Sequence, residues 1–425
     1  MDNNEREKYL NILKEELLPA LGCTEPIALA YAASKCREIL GQEAEVIEAE
    51  CSANIIKNVK AVVVPNCGGM KGIETAVVAG MLFGDASKNL EVLENIDESK
   101  ISEIKKYIET HEVKVSLLET NAKLHFIIKM SCGSESALIE VVHQHTNIVR
   151  IEKNGEVIYK EDFSENDIND NLTDRTSMTV SGIIDFAENI ELEKIKEIIK
   201  PQIECNIAIC KEGLSNQWGA EVGKTIIVDP FVNVASAAAA TAAAGSDARM
   251  SGCSLPVIIN SGSGNQGITV SVPVIVYANS KNVGEEKLIR ALALSNLLAI
   301  HQKTLIGRLS AYCGVVCAAC GSGAAITWLD GGSEKEIDDT IVNTLATISG
   351  MICDGAKPSC AGKIAVAVNA AYIAHEMAMR NRVYHSGEGI VKQNVEETVS
   401  GIGEIASNGM RDTDKVILDV MLDNN

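Results

Sequence analysis

Aromatic side chains are scarce. Phe, Trp and Tyr make up 4% of the 425 residues, which excludes a core built mainly from stacked rings. Apolar residues still reach 46%, much of it Ala and Val, so the chain is globular and its helices are expected to pack closely. Positive charge is also short. Lys and Arg number 38 against 58 Asp and Glu, for a net charge of −20. A nucleic acid or an anionic membrane as main partner needs a basic surface and is excluded on that ground. The acidic excess reads most simply as a solubility device. Long apolar runs are missing as well. The most apolar stretches are broken by Ser, Asn, Asp or Gly before 18 residues, so no membrane span is expected. The N-terminus MDNNEREKYLNILKEELLPA has no apolar leader region, and a cytoplasmic location is expected. In that reducing setting the 13 cysteines do not form a disulfide framework.

The segments present predict an α+β fold: a mainly α-helical catalytic domain with an inserted α+β domain carrying a mixed sheet. Residues 5–18 and 26–40 read as helices, joined by "LGCTEP". Residues 44–64 read as two strands, "AEVIEAEC" and "NVKAVVVP", from their β-branched content. Helices are expected over 73–84 and 98–110. Four strand-like runs follow, "VKVSLLE", "AKLHFIIKM", "SALIEVVH" and "TNIVRIEKNGEVIY". The polar stretch 161–175 reads as a linker. Helices are then expected at 182–214, 232–248, 284–306, 313–329, 335–353, 362–380 and 393–408. The helical domain would comprise 1–43 and 177–425, and the inserted domain 44–165. The small-residue helical core leans toward a homo-oligomer.

Two glycine motifs separate. "WGAEVGKT" fails as a phosphate loop, because only three residues part Gly219 from Gly223 where four are required. "SGSGNQG" (261–267) suits an anion better. Its glycines let backbone N–H groups approach a carboxylate or phosphate, and Asn265 and Gln266 add amide donors. A similar stretch holds the substrate carboxylate in one class of pyridoxal-phosphate enzymes. There is, however, no lysine between Lys224 and Lys281 to carry the cofactor.

The cysteines pose a sharper question. Cys313, Cys317 and Cys320 stand at C-x₃-C-x₂-C, a spacing that radical enzymes use for an iron–sulfur cluster. Here the surrounding sequence is Ala-rich and reads as a helix, where Cys317 and Cys320 can simply line a packed face. Cys353 and Cys360 bound the polar loop "DGAKPS". A cluster needs thiolates at loops or helix ends that converge on it, so Cys313 with Cys353 and Cys360 is the better set. Cys23, at an expected helix N-terminus, should have its thiol pKa lowered by the helix dipole. Thr24 can cap that helix, and Glu25 stands in its first turn.

Together "LGCTEPIALA", "PNCGGMKGI", "GSGNQGI", "GRLSAYCG" and "CDGAKPSCAGK" resemble the L-cysteine desulfidase family, which is related to the catalytic chain of iron–sulfur L-serine dehydratases. The resemblance spans nearly the whole chain. It implies a [4Fe-4S] cluster on Cys313, Cys353 and Cys360 with one iron open, and a catalytic part for Cys23, as base. It implies a lyase that eliminates sulfide from L-cysteine, leaving pyruvate and ammonia. Thr24, Glu25, Ser263, Gly264, Asn265 and Gln266 are the expected substrate-binding residues. Lys303, Lys357 and Lys363 lie close enough to the motifs to bind carboxylate or act as base, against the simpler reading of each as a solvated charge. His301 is read as structural before it is read as a proton carrier. The rival activity is the same elimination from L-serine. Some relatives cap the open iron with a C-terminal cysteine, and the ending "KVILDVMLDNN" has none, which leans toward the desulfidase. A non-enzymatic iron–sulfur sensor would need an output surface that this acidic sequence does not offer.

Overall fold

The computed structural model describes residues 1–165 and 172–422. The expected linker 161–175 therefore lies partly outside the described residues. In its described C-terminal part, the Thr173 backbone N–H donates to Glu15 and Arg175 pairs with Glu15 and Glu16.

The chain opens with α1 (Asn3–Glu16), β1 (Pro19–Leu21), α2 (Thr24–Leu40), β2 (Val46–Cys51), α3 (Ala53–Val59), α4 (Gly72–Phe83) and α5 (Glu98–Thr110). Strands β3 (Glu112–Leu117), β4 (His125–Cys132), β5 (Glu135–Val142), β6 (Ile148–Lys153) and β7 (Glu156–Lys160) come next. They form a six-stranded sheet of order β3-β2-β4-β5-β6-β7. Only β2 and β3 pair in parallel; the other neighbours are antiparallel. A parallel pair needs a long crossover, and α3 to α5 supply it. Helix α2 packs on β4 and β5 and against α4.

The remainder is helical: α6 (Val180–Asn189), α7 (Leu192–Ser215), α8 (Val222–Ile227), α9 (Val234–Met250), then the short β8 (Pro256–Ile258), α10 (Gly264–Ser280), α11 (Glu285–Ile306), α12 (Gly314–Leu329), α13 (Glu334–Ile348), α14 (Cys360–Ala378), α15 (Val395–Glu404) and α16 (Arg411–Leu422). The fold is α+β, as the sequence pattern predicts. The scarcity of rings is met by close helix contact. A Cβ on Gly213 of α7 would sit 1.9 Å from the Ala244 carbonyl of α9, so these backbones touch where a side chain would part them.

Several expected elements differ. "NVKAVVVP" is not a strand: it is the end of α3 and a turn. Ile55 and Val59, both fully buried, stand four apart within α3, a helical step that the run of valines in the following turn hides. "TNIVRIEKNGEVIY" folds as the hairpin β6–β7, because Asn154 and Gly155 both take positive φ (53° and 80°), the mark of a tight two-residue turn. The helix expected over 182–214 is broken at Ile190, and α10 is a helix where the sequence pattern predicts none. The helix expected to reach Cys353 stops at Ile348.

Two small pairings position distant segments of the chain. Strands β1 and β8 run antiparallel, Pro19 opposite Ile258 and Leu21 opposite Pro256. They set the turn before α2 beside the turn before α10, more than 200 residues away in sequence. A single bridge joins Tyr312 to Ile352. Around it the Cys313 N–H donates to Met351 O (3.0 Å) and the Cys353 N–H to Ala311 O (2.6 Å).

Candidate active site

The β1–β8 ribbon and the Tyr312–Ile352 bridge bring four helix N-termini or their approaches to one cavity. It is about 90 Å³, which admits a small amino acid and no polymer. Its walls include Cys23, Glu25, Ser263, Asn265, Gln266, Cys313, Cys353 and Cys360. Thr24 and Gly264 stand just behind that wall. The Thr24 hydroxyl donates to Gly262 O (2.8 Å) and so ties the two turns together. A Cβ on Gly264 would lie 2.2 Å from Arg249 Nε, so only glycine lets the guanidinium rest on the start of α10. Cys317 and Cys320 are fully buried within α12 and are not among the lining residues. His301 pairs with Glu396 (2.8 Å), the structural role. Lys303 lines the cavity. Lys357 and Lys363 instead pair with Asp354, inside the loop between Cys353 and Cys360.

Asn58, His145, Arg249, Arg308 and Tyr312 also line the cavity; Arg308 and Tyr312 fall within "GRLSAYCG" without being read as site residues, and the other three lie outside the five motifs. Arg249 is 2% exposed. Among the described residues its one side-chain hydrogen bond is to the Met250 sulfur (3.9 Å), and its Nε has no partner. A buried guanidinium without a carboxylate is costly and marks a place for an anion. The available signal was a lone arginine closing the alanine-rich α9. Arg308 is different: Glu16, itself 1% exposed, holds it with two hydrogen bonds (2.7 and 3.1 Å). Burial works to raise the Glu16 pKa, but Arg308 and Arg175 outweigh it and keep the carboxylate ionised. Beyond Arg249, unpartnered buried atoms include Asn58 Oδ1, His145 Nε2, Asn265 Oδ1, Gln266 Oε1 and Tyr312 OH. A polar wall left this incomplete is the signature of a ligand site.

The Cys23 thiol donates to Glu25 Oε2 (2.9 Å), and Asn58 Nδ2 donates to Glu25 Oε1 (3.1 Å). The expected lowering of the Cys23 pKa is reversed. Burial, then the adjacent Glu25 charge, push it well above the ordinary thiol value, and Arg249 only partly opposes them. Glu25 moves the other way. Burial works to raise it, but His145, the Cys23 thiol and Arg249 together hold it below the usual carboxylate range. The pair is therefore thiol and carboxylate. Burial lowers His145 to about 4, so its imidazole is neutral near pH 7.

Residues 87–419 match the serine dehydratase alpha chain family. That span is more than half of the chain. The chain belongs to the serine dehydratase alpha chain family. It is similar over nearly its full length to UPF0597 proteins: 50% identical to one from Lachnoclostridium phytofermentans, covering 98% of this chain and 99% of the relative. A UPF0597 protein from Treponema denticola is 49% identical, covering 99% of both. Membership of the serine dehydratase alpha chain family makes the protein a serine-dehydratase-like lyase. No described helix is long and apolar enough to cross a membrane.

This family is known for iron–sulfur dependence, and the donor set here fits such a group. Cys313, Cys353 and Cys360 are free thiols on one cavity wall, at a helix N-cap, in a loop and at a helix start. Cys353 and Cys360 both act on the ionisation of Cys313, which burial and the Cys353 thiol push to about 12. Among the described residues no group of three His, Cys, Asp or Glu is gathered to chelate one ion.

Proposed function

We propose that the protein is a [4Fe-4S]-dependent L-cysteine desulfidase that converts L-cysteine to sulfide, pyruvate and ammonia. The observation that carries the reading is the sharing of one small cavity by three free thiols, the Cys23–Glu25 pair and an unpaired buried arginine. Cys313, Cys353 and Cys360 would hold the cluster. Bound there, it would supply a Lewis-acidic iron that eases departure of the substrate sulfur.

The chain's own residues do the rest. Arg249 takes the substrate carboxylate as the counter-ion it lacks, with backbone N–H groups at the start of α10 adding to it. The unpartnered carbonyl oxygens of Asn58, Asn265 and Gln266 suit an ammonium group. The substrate ammonium group, bound beside Glu25, offsets the charge that holds the Cys23 thiol up; the thiol then loses its proton to water, and the thiolate takes the proton from substrate Cα. Loss of that proton and cleavage of Cβ–S release sulfide and aminoacrylate. Water then converts aminoacrylate to pyruvate and ammonia outside the protein's chemistry. The five sequence motifs support cysteine over serine as substrate. Anaerobic assays of sulfide and pyruvate, with L-cysteine and L-serine side by side, test it. Equal sulfide and pyruvate from cysteine at the higher kcat/KM is expected; a higher kcat/KM for serine would overturn the substrate assignment.

A further inference from the structure

A second cavity of about 300 Å³ lies beside the first and is lined by Lys123, His143, Glu165, Arg308, Leu309 and Arg411 among others. Arg308 and Leu309 line both cavities. The Lys123 carbonyl accepts from Ser52, but its half-buried ammonium has no hydrogen-bond or ion-pair partner among the described residues. Among the described residues the Arg411 guanidinium reaches only Asn121 Oδ1, at 3.4 Å. The other cation and the nearby acids have partners, though that of Glu165 is a backbone N–H and not a cation. Arg308 is held by Glu16, Asp414 by Lys57, and Glu165 accepts the Asn121 N–H (3.0 Å). His143 Nε2 lies 2.7 Å from Ser164 O, so it donates, and its buried Nδ1 has no partner among the described residues.

We infer that this cavity binds a small carboxylate anion between Lys123 and Arg411. Two uncommitted cations face one pocket in a chain of net charge −20, where nonspecific attraction of anions is weakest. Burial holds the Lys123 pKa below its ordinary value, with Lys303, Lys57 and Arg411 adding to the effect and Asp414 opposing it. An anion in the pocket reverses that cost. Glu165 on the wall disfavours a doubly charged phosphate, and the volume suits a molecule of amino-acid size. The inference stands whether or not the proposed reaction is correct.

The test is site-resolved lysine acylation of the anaerobic full-length protein, read by peptide mass spectrometry. L-lactate is the probe, because it carries a carboxylate and cannot condense with an amine. Ionic strength is held constant with chloride. Lactate is expected to slow acylation of Lys123 saturably, by fivefold or more, without slowing exposed lysines. Arg411→Met, at an exposed position, is expected to raise the lactate midpoint at least tenfold while other lysines label as in wild type. Equal protection by chloride, an unchanged midpoint in Arg411→Met, or tighter protection by inorganic phosphate would each overturn the assignment.

Discussion

Arg249 stands out at the scale of single residues. Its charge is buried with no carboxylate in ion-pair or hydrogen-bond reach among the described residues, and Glu25 acts on it only at a distance, so its place in the fold makes sense through what it binds. Arg249→Met is expected to raise KM for the amino-acid substrate about 10- to 100-fold, the worth of a charge-assisted hydrogen bond at roughly 1.5–3 kcal/mol. The melting temperature of the substrate-free protein is expected to change little, because the removed charge has no ion-pair partner and only the Glu25 carboxylate loses an opposite charge near it. A fall in melting temperature with KM unchanged would make Arg249 structural. His145 gives a pH signature. Its folded pKa of about 4 lies below the roughly 6.5 of an unfolded histidine. Between these values the unfolded chain takes up a proton that the folded chain refuses, so stability declines as pH falls, by up to about 3 kcal/mol. Urea titrations across pH 7 to 4 are expected to show that slope, reduced in His145→Gln. It is not abolished, since burial also holds His375 low. An identical slope in the variant would contradict the assignment. Neither Arg249 nor His145 belongs to a local motif. Only the fold brings them to the cysteines, and that is why the sequence pattern passes over them.

At the scale of elements, the short helix α3 has the largest part for its size. Its Asn58 holds Glu25, and its fully buried Lys57 pairs with Asp414 of α16 and donates to the Cys353 carbonyl (3.4 Å). One helix thus braces both the Cys23–Glu25 pair and the loop of Cys353. Lys57→Met removes the charge that ties α16 to that loop. It is expected to speed alkylation of Cys353 in the cluster-free protein several-fold, with Cys317 still unreactive. Reactivity of Cys353 equal to wild type would show that the loop is held by the Tyr312–Ile352 bridge and the Asp354 ion pairs without Lys57. The end of this helix and the turn after it read together as a strand because Val62, Val63 and Val64 of the turn mimic a β run, while the helical signal of α3 spans only two turns. The "GCTEP" and "SGSGNQG" turns are legible, since Gly, Pro and small polar residues mark turns by local chemistry. Their adjacency is not legible, because it depends on β1 and β8, three residues each, pairing across most of the chain.

Over the whole molecule, the α+β class is readable from the change of period between the strand-rich block and the helices. The cysteines divide by setting. Cys317 and Cys320 lie within one helix and are sealed in its packing. Cys313, Cys353 and Cys360 lie on three different backbone segments drawn to one wall. Spacing alone favours the first grouping, and position at helix ends favours the second. The central claim is that the second grouping carries an iron–sulfur cluster that the reaction requires. The most direct measurement is anaerobic cluster reconstitution of wild type, Cys353→Ser and Cys317→Ser, with iron content, visible absorption and pyruvate release followed together. The account predicts that Cys353→Ser loses cluster and turnover while Cys317→Ser keeps both. A Cys317→Ser protein without cluster, beside a Cys353→Ser protein that retains it, would contradict the account.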